Sequence, residues 1–137
     1  MAGETLVDAG PLVAILHRDD PDHDACVGTL RTLSDPLLTT WAPIAEAMYL
    51  LEGSRDARDA LLQMIERGAV QVEHIQIDEI PSIRALMRKY SDLPMDFADA
   101  TLVNLAEKKN TINIFTLDRR DFGIYRLSRR RTFRIVP

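Results

Sequence analysis

Residues 96–118 read DFADATLVNLAEKKNTINIFTLD. From 97 to 109 the apolar residues recur at helical spacing, and Ala98, Leu102, Leu105 and Ala106 form one face. Ile112, Ile114 and Phe115 then lead a strand that ends near Asp118. A helix that feeds straight into a short apolar strand is part of an alternating pattern, and the pattern recurs on both sides. Toward the N-terminus, Thr5-Leu6-Val7 reads as a strand closing at Asp8. Residues 11–17 read as a short helix with Pro11 at an early helical position. Residues 19–23 are a loop and a helix start, after which Ala25, Val27, Leu30 and Leu33 keep helical spacing. A second strand is expected at 37–40, a helix at 43–52 stopping at Gly53, and another at 57–67 ending at Gly68. Residues 70–75 alternate like a strand, and 78–90 read as a helix with Pro81 in its first turn. Residues 91–95 are a loop, and 133–136 a last strand. Strands alternating with helices predict an α/β fold around a parallel sheet with right-handed crossovers. Such sheets bind ligands outside the carboxyl ends of the strands, where the strand order reverses.

Composition bounds the rest. The chain has 137 residues, 46% hydrophobic and 28% charged, which suits one globular domain over residues 1–137 and excludes wholesale disorder. One cysteine allows no intrachain disulfide framework. The run 12–16 is far shorter than the roughly 20 apolar residues of a membrane span, and no signal peptide is visible, so the expected location is the cytoplasm. The net charge of −4 conceals a split. Residues 118–137 hold seven Arg against two Asp, whereas the preceding residues hold ten basic against nineteen acidic. A basic end on an acidic body can steer a polyanion toward an acidic surface. A solvated tail edge or a docking surface for an acidic partner accounts for the same charge equally well.

The acids are placed to meet. Asp8 closes the first strand and Asp118 follows a late one. Glu46 is expected in the first turn of the helix after the second strand, while Asp96 and Asp99 begin the long helix three residues apart, on one face. Convergent carboxylates repel one another unless a cation sits among them, and hard divalent ions favour oxygen ligands. Such an ion can polarise a phosphodiester and activate water. His17, His23 and His74 lack metal-ligand spacing, Cys26 stands alone on a helical stripe, and there is no Gly-rich phosphate loop.

Each acid also has a plainer use. Asp96 with Asp99 resembles an N-cap and its N3 residue, Glu46 can complement a helix dipole, Asp8 and Asp118 can be turn residues, and Asp121 can pair with a neighbouring Arg. Their joint placement, rather than any one of them, favours a site. Thr116 shares a strand face with Asp118 and can orient a carboxylate or fill the sheet. Trp41 is expected to cover the core beside the second strand, although it could stack on a base. Met48, Leu51, Met64, Leu86 and Met87 are expected in the core.

Four segments carry a resemblance: Leu6-Val7-Asp8-Ala9, Ala45-Glu46-Ala47, Asp96-Phe97-Ala98-Asp99-Ala100, and residues 115–122, FTLDRRDF. In this order and spacing the chain resembles a PIN domain of the VapC-like toxins of bacterial and archaeal toxin–antitoxin pairs. The resemblance covers essentially the whole chain. It implies a three-layer α/β/α sandwich and a Mg²⁺- or Mn²⁺-dependent endoribonuclease. Carried over by motif, Asp8, Glu46, Asp99 and Asp118 would be the acidic quartet. Asp8 and Asp99 would be the principal metal ligands; Glu46 and Asp118 would complete the site and help position the nucleophilic water. Asp96 and Asp121 would be peripheral acids and Thr116 a supporting hydroxyl. The family typically dimerises, and its toxins are silenced by an antitoxin that covers the acidic site. Many members place Ser or Thr two residues after the first acid; here that residue is Gly10.

The reading is therefore hydrolysis of RNA phosphodiesters. Basic residues of 119–134 hold the backbone, Arg119, Arg120 and Arg126 foremost. Two other functions fit the same pattern. One is a non-catalytic PIN-like module that binds RNA or protein. The other is a phosphoacceptor signalling domain, which would need a Lys after a late strand, whereas Lys89, Lys108 and Lys109 fall toward helix ends.

Overall fold

The structure is a computed structural model that describes residues 3–137. The chain runs β1 (Thr5–Val7), α1 (Ala9–Leu16), α2 (His23–Thr32), β2 (Leu37–Thr39), α3 (Trp41–Leu50), α4 (Arg55–Glu66) and β3 (Val70–Val72). A 3-10 turn (Ile77–Glu79) then leads into α5 (Ile80–Lys89), α6 (Phe97–Lys109), β4 (Asn113–Phe115), α7 (Arg119–Ile124) and β5 (Arg134–Val136).

The strands form one sheet in the order β3-β2-β1-β4-β5, with every neighbouring pair parallel. The first three strands build outward in one direction. The chain then crosses back and lays β4 on the free side of β1, so the order reverses between β1 and β4. Side chains alternate across the sheet. Leu6, Leu38 and Ile114 enter one apolar cluster with Ile83, Leu102 and Phe122; Val7, Leu37, Val70 and Phe115 enter the other with Leu12, Ile44 and Leu61. Helices thus cover both faces, giving an α/β/α sandwich. A sheet buried on both faces needs mostly apolar strands; β1, β2 and β4 are buried throughout and each carries two apolar residues of three.

The expected elements are present, with systematic offsets. Helices α1, α3 and α4 each begin two residues before the expected start. Pro11 and Pro43 occupy the third helical position. The first four N–H groups of a helix have no partner within it, so a proline is tolerated throughout that turn and does not mark its first residue. Glu46 therefore lies in the second turn of α3, where a dipole-capping role fails. β3 is shorter than 70–75 because β2 ends at Thr39, the partner of Val72, leaving nothing to continue the ladder. Trp41 does not cover the core: it begins α3 about half exposed, its ring centroid 6.5 Å from that of His74. Leu51 is buried, and Met48, Met64, Leu86 and Met87 pack against the clusters from partly buried positions. Helix α7 has no counterpart among the expected elements. Among the described residues, no helix is long and apolar enough to cross a membrane.

Candidate active site

The reversal point of the sheet carries the acids. Asp8 follows β1 and caps α1: its Oδ1 accepts from the Ala9 N–H at 2.8 Å. Its Oδ2 accepts from the Thr116 hydroxyl at 2.9 Å, so β4's continuation holds the carboxylate at the end of β1. The same Thr116 oxygen accepts from the Asp118 N–H at 3.1 Å. Asp118 caps α7 by accepting from the Asp121 N–H at 2.9 Å, and Asp96 caps α6 by accepting from the Asp99 N–H at 2.8 Å. The two pairs are alike: an acid at the N-cap fixes the backbone of a second acid at N3, and both side chains remain near a helix start, where backbone dipoles favour negative charge.

These elements converge on one cleft of about 500 Å³. Asp8, Glu46, Asp96, Asp99, Asp118 and Asp121 all line it, together with Gly10, Leu50, Pro94 and Leu117, and no basic side chain does. One carboxylate oxygen each from Asp99, Asp118 and Asp121 lies within 4.8 Å of the others. Asp121 is thus part of the acidic cluster and makes no ion pair with a neighbouring Arg.

Crowding acids in a partly desolvated cleft raises their affinity for protons. Burial pushes Asp99 up to about 8, aided by the charges of Asp96, Asp8 and Asp118. Burial is also the main cause of the rise at Asp8, with smaller contributions from Asp96 and Asp118. Glu46 is raised by burial and by the charges of Asp8 and Asp96, and Asp121 by desolvation and Asp118.

Tyr125, which sequence reasoning missed, opposes this at Asp99. Its ring is fully buried beside Tyr90 and Phe122, and its hydroxyl donates to Asp99 Oδ2 at 2.7 Å. Burial and the adjacent Asp99 push the Tyr125 hydroxyl far up, so it remains a donor at any ordinary pH.

The donor set is all oxygen, net negative and short of cations, which fits a hard divalent ion better than a soft or nitrogen-loving one. The basic residues are less uniform. Arg119 reaches the carbonyls of Ile135 and Pro137 and ties α7 to β5. Arg126 Nη1 donates to the carbonyls of Gly123, Ile124 and Tyr125 at 2.7, 2.9 and 3.0 Å, closing the C-terminus of α7. Arg120 is exposed, and its charge acts on Asp121.

A family model, PIN domain, matches residues 5–129. The chain belongs to the PIN domain family. This PIN chain is 31% identical over 134 residues to Ribonuclease VapC26 of Mycobacterium tuberculosis (strain ATCC 25618 / H37Rv), an alignment covering 96% of this chain and 99% of that protein. Its fold matches the crystal structure of Mycobacterium tuberculosis VapC20, described as a Sarcin-Ricin loop cleaving toxin. The TM-score there is 0.74 at 20% identity, over 85% of this chain and 92% of that one. A Cβ at Gly10 would meet Leu117 Cδ1 at 3.4 Å, and the hydroxyl that holds Asp8 comes from Thr116.

Proposed function

We propose that this chain is a divalent-metal-dependent endoribonuclease, one nuclease domain over residues 1–137, acting as the toxin of a toxin–antitoxin pair. The observation that carries the reading is the cleft itself: six carboxylates gathered at the sheet's reversal point with no basic side chain among them. Its membership of the PIN family and its likeness to a protein named as a VapC ribonuclease support it.

When bound, Mg²⁺ or Mn²⁺ supplies positive charge to the phosphodiester oxygens and makes water more acidic. Asp8 and Asp99 are assigned as the principal ligands, with Glu46 and Asp118 completing the set and orienting the attacking water. Asp121 joins them from the rim, and Asp96 acts by fixing the backbone of Asp99. Thr116 and Tyr125 each hold one oxygen of a principal ligand, which leaves the other lone pairs aimed by a rigid frame. Arg120 is assigned to the RNA backbone, and Arg119 and Arg126, already bonded to carbonyls, are assigned to it through their charge alone. The partners that go with this reading are RNA, an antitoxin and a second copy of the chain, in the cytoplasm. The exposed Tyr49 and Leu50 of α3 and Phe97 of the neighbouring α6 support pairing along that edge.

The test is cleavage of a single-stranded RNA with and without Mn²⁺, beside an Asp8→Asn variant whose fold is checked by circular dichroism. Metal-dependent cleavage that Asp8→Asn reduces by at least about 10³-fold, roughly 4 kcal/mol of barrier, is expected. Undiminished cleavage by folded Asp8→Asn overturns the assignment. Tyr125→Phe gives a subtler result. The lost hydrogen bond favoured the Asp99 carboxylate, so its proton is held more tightly and Mn²⁺ binding by calorimetry shifts to higher pH. The acid limb of the pH–rate profile moves the same way, with kcat/KM down about tenfold at pH 7. A profile superimposable on wild type removes Tyr125 from the site.

A further inference from the structure

The acidic cleft is not the only one among the described residues. A cavity of about 630 Å³ lies between α5, α6 and the segment 126–130. Lys89, Arg126, Arg129 and Arg130 line it, over a floor formed by Ala85, Leu86 and Leu127. The single carboxylate in its wall, Glu107, is already occupied, because it accepts from both the backbone N–H and the hydroxyl of Ser128. None of the four cations is in an ion pair; the two salt bridges among the described residues use Lys108 and Lys109. Lys89 stands 5.3 Å from the centroid of the Tyr90 ring.

The arginines are presented by a frame. Arg129 and Arg130 have φ of 62° and 58°, two successive left-handed residues without glycine, a conformation held only where surrounding structure over-determines it. The surroundings do so. Ser128 is anchored to Glu107, the Leu127 N–H donates to the Arg131 carbonyl at 2.9 Å, Arg131 reaches Ser128 and Asn110, and Arg126 bridges Thr132. Both arginine side chains are exposed, and among the described residues neither has a hydrogen-bond or ion-pair partner.

We propose that this cleft is a second RNA-binding site, which holds the backbone of the same strand whose phosphodiester lies in the acidic cleft. The inference rests on the ribonuclease reading for the identity of the strand. Charge favours a polyanion, and guanidinium forks match phosphate oxygens. Position favours the substrate over a separate partner. Asn104 and Glu107, in the wall, follow Asp99 on α6 by five and eight residues, so the cleft begins roughly 8–12 Å along the helix from Asp99. Arg126 directly follows Tyr125, the residue bonded to Asp99. The acidic cleft repels phosphates and needs cations outside it; the apolar floor gives ribose and base a dry surface. Selection of RNA by what flanks the cut follows from this placement.

The test is binding of a fluorescein-labelled 12-nucleotide single-stranded RNA to the full chain without metal, by anisotropy across a salt series. Asn adopts left-handed backbone more readily than most residues, so Arg129→Asn/Arg130→Asn removes charge with the loop intact. Affinity is expected to fall about tenfold, and the slope of log affinity against log salt to flatten by about 1.4, two contacts at about 0.7 each. Arg129→Lys/Arg130→Lys is expected to recover most of both. Arg55→Ala/Arg67→Ala, the same change in net charge at the two ends of α4, is the control and should leave the slope near wild type. Binding and slope unchanged in the Asn pair overturn the proposal, as does an equal effect in the α4 control. A labelled acidic peptide that loses affinity in the Asn pair while RNA does not overturns it in favour of a protein partner. Because binding is read without cleavage, a failure of the nuclease reading shows separately, as wild type that binds RNA and does not cut it with Mn²⁺.

Discussion

Asp99→Asn is expected to destroy RNA cleavage and, at the same time, to stabilise the metal-free protein. The two effects have one cause. Asp99 is buried to 8% exposure among Asp8, Asp96 and Asp118, and only Tyr125 gives it a favourable side-chain partner. Its folded-state pKa of about 8 lies far above the ordinary 3.8. The charged form is therefore unwelcome in the folded chain without a cation. Asn is nearly isosteric, its carbonyl still accepts from Tyr125, and its amide can donate to a neighbouring carboxylate. Melting of metal-free Asp99→Asn at pH 8 is expected about 5 °C above wild type. Cleavage should fall by at least about 10³-fold, since the variant removes a charge from the proposed ligand set. Residues in a functional site are commonly poor for stability in this way. A variant that is inactive and also less stable would mean that Asp99 is a structural acid whose loss disturbs α6, and the assignment of the site would fail.

What the sequence reveals depends on how local the cause is. The helix at Phe97–Lys109 was legible to the residue, because a capping acid and a regular apolar face both lie within it. β1 was legible for the same reason: a short apolar run ends at an acid that caps the next helix. Helix starts marked by proline were placed two residues late at Pro11 and Pro43, because proline satisfies any position of the first turn. Helix α7 escaped notice, as it is six residues long and contains Gly123. Its signal was present nonetheless. Asp118 and Asp121 repeat the spacing of Asp96 and Asp99, and both pairs are N-cap and N3 in the structure.

The site divides similarly. Asp8, Glu46, Asp99 and Asp118 were singled out from their places at element ends, and the structure gathers them with Asp96 and Asp121 in one cleft. Tyr125 was not legible, because its contact with Asp99 spans 26 residues and depends on how α7 packs on α6. The bonds that occupy Arg119 and Arg126 depend equally on tertiary structure, since a count of charges does not reveal which guanidinium is already in use.

Stability should depend on pH and metal in a linked way. Asp99, Asp8, Glu46 and Asp121 all have folded-state pKa values raised above their ordinary ones. A carboxyl raised on folding binds its proton more tightly in the native chain, so unfolding releases protons and stability falls as pH rises. For Asp99 the fall begins near its ordinary value of 3.8 and ends near 8. The metal-free protein is therefore expected to melt progressively lower between about pH 5 and pH 8, with the slope reduced in Asp99→Asn. Glu79 opposes the trend only in acid. Its pKa is lowered, chiefly by the Gln76 N–H, so its contribution is lost as pH falls through that lowered value. A divalent ion reverses the loss, because it binds the deprotonated cluster and competes with protons for it. At about a hundredfold excess over its dissociation constant it adds about 2.7 kcal/mol, or roughly 8–12 °C for a chain of this size. The gain should be larger at pH 8 than at pH 6 and should be strongly reduced in Asp99→Asn. Thermal melts at the two pH values, with EDTA and with about 10 mM Mn²⁺, read all of this without any RNA. A melting temperature that ignores both pH and Mn²⁺ would mean that the carboxylates are not held together as the geometry places them, and the cleft would lose its claim to an ion.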